Sequence, residues 1–413
     1  MLENDIKEDR EFDIIVWGAS GFTGQLVVQY LATKYSTDAM IKWAIGGRNR
    51  TKLEKVLIEK QKQEKLPEII IADSHDRATL DLMTARTKVI LSTVGPYAKY
   101  GSDLVESCIK NGTDYCDLTG ESQWIRRMID KHEDDAKKSG ARIVMSCGFD
   151  SIPSDIGVYY LTEHARAQHA QSCASITMLV RAIKGGASGG TVSSILNIID
   201  EVREDRSIAG ILANPYTLNP VNMRQGPDSK DQNGAIHNRE ANVWTAPFLM
   251  AAINSRIVRR TNALLNYQYG KEFRYAEATI TGSGLKGWLS AITISVGLKL
   301  SIIAAAIPAI RRIIIEPKVP KPGEGPTSEE QENGYFNLLM IAKLTDGQIL
   351  RLRIKGDRDP GYGSTSKMLA ESAICLAKDK LATRGGIWTP AAAMGNHLLQ
   401  RMRNNAGLTF DLE

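Results

Sequence analysis

Phe12-Asp13-Ile14-Ile15-Val16-Trp17-Gly18-Ala19-Ser20-Gly21-Phe22-Thr23-Gly24 is the stretch that decides how the rest of the chain is read. Its first six residues are a short apolar run closed by glycine, the pattern of a strand buried on both faces. A helical period follows over residues 24–35, so a G-x-x-G-x-x-G turn joins a strand to a helix. Gly18 permits the tight turn, Gly21 lets the backbone approach a pyrophosphate, and Gly24 lets the helix pack on the sheet. Ser20 and Thr23 add hydroxyl donors on either side of Phe22, and a helix N-terminus offers its unpaired N–H groups to an anion. A glycine-rich turn without a ligand is the competing reading. Its place after a strand and before a helix favours dinucleotide binding.

The same rhythm continues to residue 146. Apolar runs rich in Ile and Val at 12–17, 41–46, 68–72, 88–93, 113–118 and 142–146 alternate with helical periods at 24–35, 50–63, 102–111 and 121–139. Six such strands with right-handed crossovers predict an α/β fold whose N-terminal part is a doubly wound parallel sheet of Rossmann type. After Ser154 the rhythm changes to a β-rich stretch at 174–184, a glycine-rich turn at 185–190 and a helix at 191–203. Residues 318–333, with three prolines and four glutamates, read as an exposed loop. Asp346-Gly347 between apolar runs predicts a hairpin, and helices are expected at 362–381 and 390–403. The domains expected are 1–154, a nucleotide-binding domain; 155–388, a mixed α/β domain for substrate and dimerisation; and 389–413, a C-terminal helix and tail packing back on the first.

An NAD-binding sheet usually ends its second strand with a carboxylate for the ribose hydroxyls. Here that position reads Gly46-Gly47-Arg48-Asn49-Arg50. Arg48 suits a 2′-phosphate in fork geometry, with Asn49 beside it, so the expected cofactor is NADP(H); a solvated cation at a helix start is the alternative. Asp73, past the third strand, is placed to accept from an adenine amino group or simply to form a turn. The fourth strand runs into Gly95-Pro96-Tyr97, where Gly95 and Pro96 shape a loop facing the nicotinamide and Tyr97 stacks, donates or only packs. The sixth runs into Cys147-Gly148-Phe149-Asp150-Ser151, followed by Ser154, a candidate cap for the next helix. Hydride transfer to or from a nicotinamide leaves a proton to be given or taken, and Tyr97, Cys147 and Asp150 are the candidate catalytic residues.

These residues carry a resemblance. W-G-A-S-G-F-T-G (17–24), W-A-I-G-G-R-N (43–49), V-G-P-Y (94–97), D-L-T-G-E (117–121), G-F-D-S-I-P-S-D (148–155) and G-G-I-W-T-P-A-A-A (385–393) resemble the saccharopine dehydrogenase-like oxidoreductases, especially the trans-acting enoyl reductase branch. With D-P-G-Y (359–362) the resemblance spans nearly the whole chain. It implies an NADP-binding domain, a mixed second domain, a cleft between them, reductase chemistry on a lipid-linked substrate and a homodimer. The cluster of Arg and Lys that a saccharopine-type amino-acid substrate would need is not legible.

Composition bounds the rest. The 413 residues are 43% hydrophobic and 24% charged with a net charge of +5, which suits an anionic cofactor or membrane surface and falls short of a nucleic-acid footprint. Five scattered cysteines without a C-x-x-C pair, and six histidines without ligand spacing, predict a reducing compartment and no metal site. Residues 1–10 are polar, with no secretory h-region. Residues 285–315 are apolar, with the cations Lys286, Lys299, Arg311 and Arg312 and no acid. Lys299 divides them into uncharged stretches shorter than a spanning helix needs, leaving a buried core or dimer-interface helix or an interfacial segment at a membrane surface. Three functions are therefore carried forward: a cytoplasmic or peripheral NADPH-dependent reductase of lipid-like substrates, a non-catalytic NADPH-binding scaffold or sensor, and an amino-acid dehydrogenase.

Overall fold

Ile14, Ile15 and Val16 have no exposed surface, because the strand they form lies at the middle of a sheet covered on both faces. The structure, a computed structural model, describes residues 9–35, 41–60, 66–186, 188–320 and 323–413. Most of the 1–10 tail, the end of the helix expected at 50–63, Ala187 in the glycine-rich turn, and Lys321 and Pro322 in the proline-rich loop lie outside the described residues.

The N-terminal strands are β1 Phe12–Trp17, β2 Trp43–Gly47, β3 Glu68–Ile71, β4 Thr87–Ser92, β5 Asp114–Asp117 and β6 Arg142–Val144. Helices α1 Phe22–Lys34, α2 Arg50–Lys60, α3 Arg77–Thr84, α4 Ser102–Lys110 and α5 Ser122–Ser139 connect them. All pairs are parallel, in the order β6-β5-β4-β1-β2-β3, so the order reverses between β1 and β4. An open crevice forms at such a point.

After α6 Ile152–His169 the chain builds a second, mixed sheet. Its strands are β7 Cys173–Lys184, β8 Ile236–Asn238, β9 Val243–Pro247, β10 Arg274–Gly282, β11 Tyr335–Leu344 and β12 Ile349–Gly356. The helices α7 Gly189–Glu204, α8 Ser207–Ala213, α9 Ala251–Leu264 and α10 Gly284–Ala306 fall among them. The β11–β12 hairpin turns at Gly347, whose φ of +90° needs a residue without a side chain. Helix α11 Thr365–Lys378 then crosses back onto α1, β1, β4 and β5. Strand β13 Gly386–Trp388 pairs in parallel with β6 as a seventh strand of the first sheet, and after α12 Pro390–Asn404 strand β14 Leu408–Leu412 closes the edge of the second. One core runs from Val16, Val89 and Val144 through Leu161, Met368 and Leu398 to Met178, Met340 and Ile354, so α6, α11 and α12 lie between the two sheets.

Local readings changed in four places. The helix expected from Tyr362 begins at Thr365, because the Asp359 side chain accepts from the N–H groups of Tyr362 (3.0 Å) and Gly363 (2.8 Å) and holds Pro360–Ser364 as a separate turn. The proline-rich loop contains a helical turn, Ser328–Glu332, started by a Thr327/Glu330 capping box. Ser154 does not cap α6, which starts at Ile152; its hydroxyl donates to Glu277 at 2.7 Å. The apolar segment is not a core helix either. Helix α10 continues through Lys299 and is long and apolar enough to cross a membrane, with a mean hydropathy of 1.9 in its most apolar window, of which only 17% is buried.

Candidate active-site cleft

Gly18 leaves β1 with φ +84°, and a Cβ there would lie 2.5 Å from Val94 Cγ2 and 2.8 Å from Thr93 Oγ1. Gly24 is equally constrained, since its Cβ would meet the Gly18 carbonyl oxygen at 2.2 Å. The Thr93 N–H donates to the Trp17 carbonyl (3.0 Å), pinning the β4 loop to the turn. Gly21 is the N-cap of α1 and supplies no capping side chain. The N-terminus of a 13-residue helix therefore ends at a cradle free of side chains, a fit for pyrophosphate. Thr23 lines the cleft beside it, whereas Phe22 packs edge-on against Tyr362 with centroids 5.1 Å apart. At Ser20 it is the carbonyl that is engaged, accepting from Gln25 Nε2 at 3.2 Å.

Arg48 follows β2 directly and is exposed, with no ion pair among the described residues. Its neighbours do local work. Asn49 Oδ1 accepts the Lys52 N–H at 3.0 Å and starts α2. Asp73 Oδ1 accepts the His75 N–H at 2.9 Å while its own N–H donates to Thr79, which is the turn-forming alternative for this residue.

A cleft of about 310 Å³ opens where the carboxyl ends of β4, β5 and β6 meet the second sheet's loops. One wall carries Thr93, Gly95, Tyr97, Glu121, Gly148 and Asp150; the other carries Ile183, Ser194, Ile195, Ile198, Phe248 and Met250. Pro96 begins the single turn Tyr97–Tyr100 that closes the first wall.

The three candidate proton donors fare differently. Tyr97 is 4% exposed and its hydroxyl donates to the Ser92 carbonyl at 3.1 Å; burial, with Asp117 nearby, raises its phenol well above the usual value. Cys147 does not line the cleft. It is fully buried, its thiol donating to the Val144 carbonyl at 3.6 Å, and burial raises its pKa. Asp150 does line the cleft, and its buried Oδ1 has no hydrogen-bond partner among the described residues. Burial first, and the Glu277 charge second, push its carboxyl up to about 7.

Folding adds residues whose roles the chain does not spell out. Glu121 accepts from the N–H groups of Tyr97 (2.8 Å) and Ala98 (3.0 Å) and from the Ser194 hydroxyl on α7 (3.0 Å), joining the two walls. Tyr362 accepts the Ser188 N–H and shares a hydrogen bond with Thr191 at 2.8 Å. Thr365 Oγ1 accepts the Phe149 N–H at 2.9 Å, holding the β6 loop against α11. Glu121 stands in the D-L-T-G-E motif, which marks the position and not the partners. Tyr362 lies 171 residues from Thr191 and Thr365 lies 216 residues from Phe149.

Known proteins match at both levels. The family model described as the saccharopine dehydrogenase NADP-binding domain matches residues 14–144. A Mycobacterium tuberculosis H37Rv protein, provisionally named a trans-acting enoyl reductase, is 41% identical over 95% of this chain and 96% of its own. The Mycobacterium bovis BCG trans-acting enoyl reductase is 36% identical over 95% and 96%. Among solved structures, apo saccharopine dehydrogenase (L-Glu forming) from Saccharomyces cerevisiae has a TM-score of 0.53 at 11% identity, covering 97% of this chain and 100% of that one, a likeness of fold. The chain belongs to the saccharopine dehydrogenase-like oxidoreductases, in the branch of the trans-acting enoyl reductases, and is an NADP(H)-dependent oxidoreductase.

Proposed function

We propose that the cleft reduces an enoyl group, or a carbonyl, on a lipid-like substrate, with Asp150 as the proton donor. Bound NADPH supplies the hydride. Hydride addition at the β-carbon of a conjugated enoyl group moves the π pair toward the carbonyl oxygen, and the enolate then takes a proton at the α-carbon. The observation that carries this reading is the Asp150 carboxyl at the cleft wall, with a buried oxygen that no group among the described residues satisfies and a pKa near neutrality. A carboxyl so placed is still protonated in about half of the molecules at pH 7 and can deliver that proton.

The lining supports the substrate class. Ile183, Ile195, Ile198, Phe248 and Met250 give one wall an apolar surface, and among the described residues no Lys, Arg or His lines the cleft. An amino-acid substrate with several carboxylates would need such cations, so the amino-acid dehydrogenase reading is the weaker. Arg48 is the residue proposed for the 2′-phosphate, with the Gly18–Gly24 turn for the pyrophosphate. The five free, buried cysteines suit a reducing compartment.

The test is NADPH oxidation with a soluble enoyl thioester. Asp150→Asn is expected to lower kcat by about 10²–10⁴-fold while leaving NADPH affinity unchanged. In the wild type, kcat/KM is expected to fall as pH rises through about 7, the value of the donor it reports. Arg48→Ala is expected to cost NADPH about 10–100-fold in affinity and NADH little. NADPH binding without turnover of any enoyl or carbonyl lipid would leave the scaffold or sensor reading in its place.

A further inference from the structure

We infer that α10 is a membrane-docking helix that seats the protein on an anionic lipid surface without crossing it. Gly287, Ala291 and Ser295 recur every four residues and are buried, on a helix that packs against β9, β10 and α7. A Cβ on Gly287 would meet the Gly282 carbonyl oxygen at 2.3 Å, so the helix lies close on the strand end. The opposite face is a stripe of large apolar side chains: Leu285, Leu289, Leu300 and Ile303 are 70%, 50%, 60% and 56% exposed. An exposed apolar surface of this extent marks an interaction site.

Charge identifies the occupant. No carboxylate occurs from residue 278 to 315, while Lys286 and Lys299 are exposed. At 3.6 residues per turn the two lysines fall about 70° to either side of the stripe's centre, where their stems reach from an embedded apolar face to headgroups. Trp288, 37% exposed, flanks the same face. Two copies joined through this stripe would bring lysine toward lysine with no acid on the segment to pair them, so an anionic lipid surface is the better fit. The helix is tied along its length to one body: its first turns rest on β9 and β10, and Arg311 beyond its end donates both bonds at 2.8 Å to Asp200 of α7. A helix held on one side in this way lies in the interface plane.

Helix α10 also packs on α7, the helix that presents Ser194, Ile195 and Ile198 to the cleft. The docked face therefore sets the cleft's apolar wall one helix away from the lipid. This link to the cleft rests on the reductase reading above; the docking does not.

The experiment is co-sedimentation of the full chain with phosphatidylcholine vesicles, with and without phosphatidylglycerol. The protein is expected to pellet with the anionic vesicles and to blue-shift its tryptophan emission there, a shift lost in Trp288→Phe. Lys299→Ala should weaken partitioning about fivefold, and Leu289→Glu/Ile303→Glu should leave the protein in the supernatant with NADPH binding intact. Wild-type protein that stays in the supernatant with anionic vesicles overturns the inference, whether it is then a monomer or a dimer that the double variant dissociates. Turnover of a soluble enoyl thioester is read on the same samples. Pelleting without turnover removes the reductase reading alone, and turnover without pelleting removes the docking alone.

Discussion

Helices α9 and α10 invert the usual relation between composition and place. Helix α9, A-A-I-N-S-R-I-V-R-R-T-N-A-L, carries three arginines and is buried at every position except Ala252 and Leu264. Helix α10 is among the most apolar stretches of the chain and is mostly exposed. The difference lies in what each can satisfy. Arg256 pairs with Asp231 (2.6 Å) and the Leu212 carbonyl (2.6 Å); Arg259 pairs with Asp228 and the Tyr275 carbonyl; Arg260 reaches Glu133 and the Leu218 and Ile387 carbonyls. Each guanidinium thereby ties the 205–235 region, the second sheet or β13 to one helix. Buried charge is tolerated when it is paired and hydrogen-bonded, and apolar surface stays exposed where the fold offers it nothing to cover it.

The largest effect expected from breaking this contrast is at Arg260. Burial lowers its guanidinium to about 10, so it remains a cation at neutral pH. Arg260→Ala leaves the Leu218 and Ile387 carbonyls without their donor, while Glu133 keeps Lys137 at 3.3 Å, and denaturant unfolding should show a loss of about 2–4 kcal/mol. A loss under 1 kcal/mol would mean that water replaces the guanidinium. Next is the docked edge of α10: Gly287→Ala forces a Cβ onto the Gly282 carbonyl, with an expected cost of about 1–3 kcal/mol. An unchanged midpoint would show that this edge yields freely.

The buried side of the comparison also titrates. Asp117, Asp150, Asp155 and Glu277 are each raised to about 7, with burial as the first cause. A carboxyl whose folded pKa exceeds its unfolded value contributes stability below the unfolded pKa and loses it as pH rises through the folded one. His132, which is buried, and His164, which is partly buried, are lowered by burial and act in the opposite sense, but they are two groups against four. Between about pH 5 and 8 the acids should dominate, and Tm should fall by about 2–4 °C or more. A Tm that rises across this window would show that the histidines prevail. The smallest effect belongs to the exposed side: Leu289→Glu, at a half-exposed position, should stay within about 0.5 kcal/mol of the wild type. A larger loss would mean that a second chain covers this face.

Local chemistry made the nucleotide-binding half legible. The need for positive φ at Gly18 and for a missing side chain at Gly24 is imposed by neighbours within the same turn and the adjoining loop, so residue types alone announce it. The same holds for the β11–β12 hairpin at Asp346-Gly347. The proton-donor candidates were legible only as a set. Their residue types qualify all three, but tertiary packing turns the Tyr97 hydroxyl toward Ser92, buries Cys147 in the core and leaves Asp150 at the cleft.

The amino-acid sequence by itself determined the glycine turn, the alternation of strands and helices and the absence of a carboxylate after β2, because these depend on backbone sterics and on side chains a few residues apart. Only the tertiary structure decided that Gly386–Trp388 extends the first sheet, that Glu121 meets Ser194, and that α10 lies outside while α9 lies within. Those outcomes depend on which distant groups can pair with a buried charge or cover an apolar face. No local pattern carries that information, because the partners meet only when the two sheets close on their shared core.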